Sequence, residues 1–158
     1  MYTSDDTAHG GKGDEPIFMG THKNSLDGKK RLTIPSKWRE QMGAGKTLYL
    51  MPGMDTECLW VYPKGELNLK INKLRQASMG NDEAQMLARI FGGESQDAEW
   101  DSQGRVRVTD FLLEYAGLKK EVLIVGALTR FEMWDPAAYM AFMKQHRSKL
   151  KDAVRNHM

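Results

Sequence analysis

A single cysteine, Cys58, rules out an intrachain disulfide. It lies in the apolar stretch CLWVY, where a buried thiol is expected rather than a nucleophile. Long hydrophobic runs are missing too. No stretch approaches the roughly 20 apolar residues that a bilayer-spanning helix needs, so no membrane association is expected. The opening residues, MYTSDDTAHGGKGDEP, are polar and contain no apolar signal core; the expected location is the cytoplasm. One-signed charge is scarce, with a formal net charge of only +2. Any affinity for a polyanion must therefore come from where the charges sit.

Chemistry-bearing constellations are also lacking. His9, His22, His146 and His157 have no paired ligand spacing with one another or with Cys58. No Ser/His/Asp arrangement is suggested. The segment Gly43-Ala44-Gly45-Lys46-Thr47 imitates the end of a phosphate-binding loop. The full pattern, however, needs glycine where Glu40 stands, and a strand before with a helix after. No enzyme, cofactor, metal or small-molecule substrate is expected.

What is present is a repeat. LDGKKRLTIPSKWREQMG (Leu26 to Gly43) aligns without a gap on WDSQGRVRVTDFLLEYAG (Trp100 to Gly117), at a constant offset of 74 positions. Asp27 matches Asp101, Arg31 matches Arg105, and Gly43 matches Gly117. TLYLM then falls on EVLIV, and LWVYP on FEMWD once two extra residues are granted to the first copy.

Each copy has the same local logic. Asp27-Gly28-Lys29-Lys30 and Asp101-Ser102-Gln103-Gly104 are tight-turn sequences, because Asp bonds its own backbone and Gly permits positive φ. Leu32 and Ile34, like Val106 and Val108, alternate with polar neighbours as in a half-buried strand. Ser36 and Asp110 are expected as N-caps of short helices over 37–42 and 111–116, which Gly43 and Gly117 end. Two strands follow in each copy. A unit of about 45 residues leaves apolar surface uncovered, so the two copies are expected to complete one pseudo-twofold barrel.

Helices are expected elsewhere. Leu67, Ile71 and Leu74 mark one. Met86, Leu87, Ile90 and Phe91 mark another, capped by Asn81 or Asp82 and stopped by Gly92-Gly93. Asp135-Pro136 opens a long amphipathic C-terminal helix carrying Tyr139, Phe142, Met143, Leu150 and Val154. The expected divisions are a disordered tail (1–15), a first repeat (16–66), linking helices (67–94), a second repeat (95–138) and a C-terminal helix (139–158). The class is α+β and β-rich.

Arg offers a planar fork of donors suited to guanine edges and phosphates. An Asp four positions earlier, across a turn, can steady it or can simply close the turn with an ion pair. Charge favours the first copy. Between His22 and Lys46, the bases Lys23, Lys29, Lys30, Arg31, Lys37, Arg39 and Lys46 face only Asp27 and Glu40, a net +5. Between Glu99 and Glu121 the four bases, Arg105 and Arg107 among them, meet five acids, a net −1.

LDGKKRLTIPSKWRE, ECLWVYP, DSQGRVRVTDFLLEYAGLKKEVLIVG and FEMWD resemble the MraZ family of bacterial transcriptional regulators, within the AbrB-like swapped-hairpin class. The resemblance runs from about Ile17 to Tyr139. It implies a double-psi-type, swapped-hairpin β-barrel built from both repeats, and a homo-oligomer in the form of a ring. It implies binding to short tandem repeats in double-stranded promoter DNA upstream of the division and cell-wall genes, mainly in repression, with nucleoid association. The Asp-x-x-x-Arg loops are the implied contacts: Arg31, Lys29, Lys30 and Asp27 in the first copy, Arg105 and Asp101 in the second, with Lys23 and Arg107 beside them. The family pattern has Gly before the Arg, kept as Gly104 but replaced by Lys30. It also has Pro after the strand, kept as Pro35 but replaced by Thr109. A protein-binding or antitoxin-type module on the same fold is the alternative.

Overall fold

The computed structural model describes residues 15–77 and 80–158. The expected tail lies almost wholly outside them. In the first repeat the elements are β1 (Thr21–Ser25), β2 (Arg31–Thr33), α1 (Ser36–Met42), β3 (Thr47–Pro52) and β4 (Leu59–Pro63). Two linking helices follow, α2 (Lys64–Ala77) and α3 (Asp82–Gly93). The second repeat gives β5 (Gln96–Glu99), β6 (Arg105–Arg107), α4 (Asp110–Ala116), β7 (Glu121–Gly126) and β8 (Phe131–Trp134). The chain closes with α5 (Pro136–His146), a 3₁₀ turn (Arg147–Lys149) and α6 (Leu150–His157). The class is α+β.

The strands pair across the repeats. A six-stranded antiparallel sheet runs β1-β7-β8-β4-β3-β5, and β2 pairs with β6 in a separate two-stranded ladder. Exchanging each strand for its counterpart in the other repeat reproduces every pairing. Ser25 faces Glu121, as Glu99 faces Thr47. Leu32 faces Val106, and Trp60 faces Glu132, each residue opposite its own repeat partner. Thus β1 finds its neighbour in the second copy and β5 finds its neighbour in the first.

Alternation explains the core. Leu48 and Leu50, Leu59 and Val61, Val122 and Ile124, and Phe131 and Met133 bury one face of the large sheet. Leu32, Ile34, Val106 and Val108 meet them from the small ladder. Trp38 of α1 packs among Phe18 and Phe131, with ring centroids 5.4 and 5.0 Å away. Fully burying each such side chain stabilises by about 1.5–3 kcal/mol. A second cluster on the outer face joins Val125 and Trp134 to Tyr139 and Phe142 of α5. Cys58 is buried there, as expected, and burial pushes its thiol up to about 12.

Three local expectations are corrected. Ser36 and Asp110 are the first helical residues; the caps are Pro35, which makes no side-chain cap bond, and Thr109, whose hydroxyl accepts from Leu112 N. Helix α3 is capped by Asn81 and its last residue is Gly93, as expected, but both glycines lie within it and Glu94 is its C-cap. The C-terminal helix is not continuous. His146 Nδ1 donates to the Phe142 carbonyl (2.8 Å), the oxygen an α-helical N–H at 146 would use, and the chain tightens into the 3₁₀ turn. Leu150 and Val154 stay exposed beyond it.

Candidate nucleic-acid interface

The β2–β6 ladder has two sides. Leu32 and Val106 are fully buried beneath it. The flanking pairs, Arg31 opposite Arg107 and Thr33 opposite Arg105, point the other way. Three guanidiniums from the two repeats therefore share one outward face, only three ladder rungs long.

Each arginine is set by its turn. In the first loop, Lys30 N donates to Asp27 O (3.0 Å), closing a β-turn. Asp27 Oδ1 accepts from Lys29 N and Arg31 N, both at 2.9 Å. Its Oδ2 accepts from Arg31 Nε at 2.7 Å. The second loop repeats every bond: Asp101 Oδ1 accepts from Gln103 N (2.9 Å) and Arg105 N (3.0 Å), and Oδ2 from Arg105 Nε (3.0 Å). The backbone N–H of the arginine, more than its charge, holds each carboxyl below the usual range. Each guanidinium is thus held at Nε. The Arg31 and Arg105 side chains are 26% and 27% exposed, neither sealed in nor loose. Arg31 Nη1 also stands 3.9 Å from Asp101 Oδ2, so the loops are immediate neighbours.

The loops differ at one position. Gly104 (φ +78°) and Lys30 (φ +62°) both occupy the left-handed region that the turn requires. Gly104 is covered by the Arg39 guanidinium from α1, so a side chain there would collide with it. Arg39 is anchored in turn by Nε donating to Ile34 O (2.9 Å). Lys30 has no such cover. It extends its ammonium to Asp110 of the opposite repeat.

All eight residues expected from the sequence can now be placed. Asp27, Lys29, Lys30, Arg31, Asp101, Arg105 and Arg107 gather on the ladder and its two turns. Lys23 stands apart on β1, exposed and paired with Leu123 of β7. Sequence reasoning missed the groups that fix the ladder. Asn24 Nδ2 donates to Thr33 O (2.7 Å). Gln96 donates from Nε2 to Arg107 O (3.0 Å) and accepts at Oε1 from Thr109 N (2.8 Å). Arg39 belonged to a basic run, but Asn24 and Gln96 gave no signal that a sequence could carry.

The family model for "MraZ protein, putative antitoxin-like" matches residues 17–90 and again residues 90–157. The chain belongs to the MraZ family. Its relatives include the transcriptional regulator MraZ of Saccharopolyspora erythraea, 33% identical over 87% of this chain and 94% of that protein. The transcriptional regulators MraZ of Clostridium acetobutylicum and Alkaliphilus oremlandii are 36% and 39% identical, over 80% and 75% of this chain and 87% and 80% of their own lengths. These MraZ relatives are named as regulators and not as enzymes. The double match of the family model agrees with the repeat at offset 74. Among the described residues, no helix is long and apolar enough to cross a membrane.

Proposed function

We propose that this MraZ-family chain is a transcriptional regulator that binds double-stranded promoter DNA through the paired Asp-x-x-x-Arg turns. One observation carries the reading: Arg31, Arg105 and Arg107 share the outward face of a ladder whose other face is core. A carboxylate that fixes Nε removes rotamer freedom from the arginine before binding and leaves its Nη edge for a guanine or a phosphate. Arg31 and Arg105 are the proposed base-reading residues. Lys29, Lys30, Arg107 and Lys23 are the proposed phosphate contacts, and Asp27 and Asp101 their supports.

The reciprocal strand pairing supports a swapped-hairpin, AbrB-like barrel. A face this small calls for multiplicity, so a homo-oligomeric ring that engages tandem short repeats is part of the proposal; linked sites gain by effective concentration. The proposed role is repression upstream of the division and cell-wall genes, in the cytoplasm at the nucleoid. Selection from random DNA should enrich a short, tandemly repeated motif. Arg31→Ala should abolish the gel shift on that motif while size-exclusion chromatography shows the oligomer intact. An unchanged shift at physiological salt would remove the loop from the mechanism. A protein-binding, antitoxin-type role has one point in its favour, the family model's wording. A selection without any enriched motif would favour it.

A further inference from the structure

Lys30 stands where the other repeat has Gly104, in a different setting. Its ammonium donates to Asp110 Oδ1, and both side chains are open to water, 48% and 70% exposed. The carboxyl of Asp110 is lowered chiefly by that hydrogen bond, next by the charge of Lys30, and also by the charge of Arg107. Asp110 is therefore paired with one of the cations assigned to phosphate contact, Lys30, and feels the charge of a second, Arg107. The corresponding position in the first repeat holds Ser36, which is neutral. The corresponding loop residue in the second repeat is Gly104, held by the guanidinium of Arg39 and by no carboxylate.

We propose that Asp110 stands in for a DNA backbone phosphate on Lys30, so that binding exchanges one anion for the other and Asp110 limits the affinity of the arginine face. The proposal rests on the DNA-binding reading above and adds a residue to it. An exposed Lys–Asp pair is weak and screened by salt. It can hold the Lys30 side chain across the ladder without preventing its transfer. A phosphate arriving at the same ammonium meets the Asp110 carboxylate as a like charge, so both anions cannot keep their places. The second loop has no equivalent exchange, because Gly104 carries no charge to transfer. The two turns thus differ in kind: one is already arranged, and the other must release a partner.

A double-mutant cycle on a mixed-sequence DNA duplex, read by fluorescence anisotropy at low salt, tests this. Asp110→Asn should tighten binding about two- to fivefold, the worth of an exposed ion pair. The gain should vanish in the Lys30→Ala background, and Lys30→Ala alone should lower the log–log salt slope by about 1. Asp110→Ser, which copies the other repeat, should behave as Asp110→Asn does and serves if the amide variant folds poorly. In the unaltered protein, the Asp110 carboxyl should titrate closer to its ordinary range once duplex is added, read by NMR. Unchanged affinity in both folded Asp110 variants would overturn the exchange. So would an equal gain with and without Lys30, which would mean that Asp110 repels DNA as a general charge. If the unaltered protein binds no duplex at all, the DNA-binding reading fails and the exchange fails with it.

Discussion

Asp27 and Asp101 divide their work between two oxygens. One oxygen takes two backbone N–H groups, which shapes the turn; the other takes a guanidinium Nε, which aims the side chain. Asn could imitate the first oxygen, but its amide would meet Nε donor to donor. Both carboxyls titrate below the ordinary value of 3.8 in the folded protein. Their contribution to stability is then present above 3.8 and is lost as pH falls through the lower, folded-state value. Asp27→Asn should unfold at lower urea than the unaltered protein at neutral pH, and the gap should close in acid. A gap of constant size down to about pH 2.5 would contradict this. Gly104 offers a second test. Gly104→Ala must accept both the left-handed backbone and the guanidinium of Arg39. We expect a loss above about 1 kcal/mol. Arg39→Ala should recover part of it when the two are combined, as coupling between touching residues requires; strict additivity in the denaturation midpoints would refute the contact.

Among the elements, the two short helices illustrate what a sequence displays and what it conceals. Ser36 and Asp110 are good capping residues, yet each helix begins one residue earlier than their chemistry suggests. Pro35 and Thr109 take the capping position instead. Thr109→Ala should therefore cost about 1 kcal/mol of stability, while Ser36→Ala should stay within about 0.5 kcal/mol. Thermal melts of the two variants decide the matter, and the reverse order would restore the original reading. The turns themselves were legible because Asp and Arg recur at fixed spacing in both copies, with a glycine between them. Gln96 was not legible. It holds Arg107 and Thr109 from a different strand, and no local pattern announces a contact made across a fold. The break after α5 was hidden for a similar reason, since the apolar spacing of Leu150 and Val154 continues past the 3₁₀ turn at Arg147–Lys149.

For the molecule as a whole, duplication was readable from the residues, whereas exchange was implied only by the family resemblance. Offset and periodicity identify two similar units; they do not say that β1 pairs with β7 and β5 with β3. Those pairings decide what half a chain can do. A fragment carrying only the first repeat lacks a partner for each of β1, β2, β3 and β4, but a second copy of itself offers equivalent edges. We expect the fragment 15–77 to form a dimer on size-exclusion chromatography, with Leu32 opposite Leu32 on the axis. A folded monomer would mean that each repeat is self-sufficient.

The three-rung ladder has a further consequence during synthesis. Its rungs join Arg31 to Arg107 and Arg105 to Thr33, so neither strand has a neighbour until both have left the ribosome. A prematurely terminated chain ending within the linking helices carries one arginine turn, whose mate must come from a second copy. On the DNA-binding reading proposed above, the arginine face exists only where two turns meet, whether they come from one chain or from two.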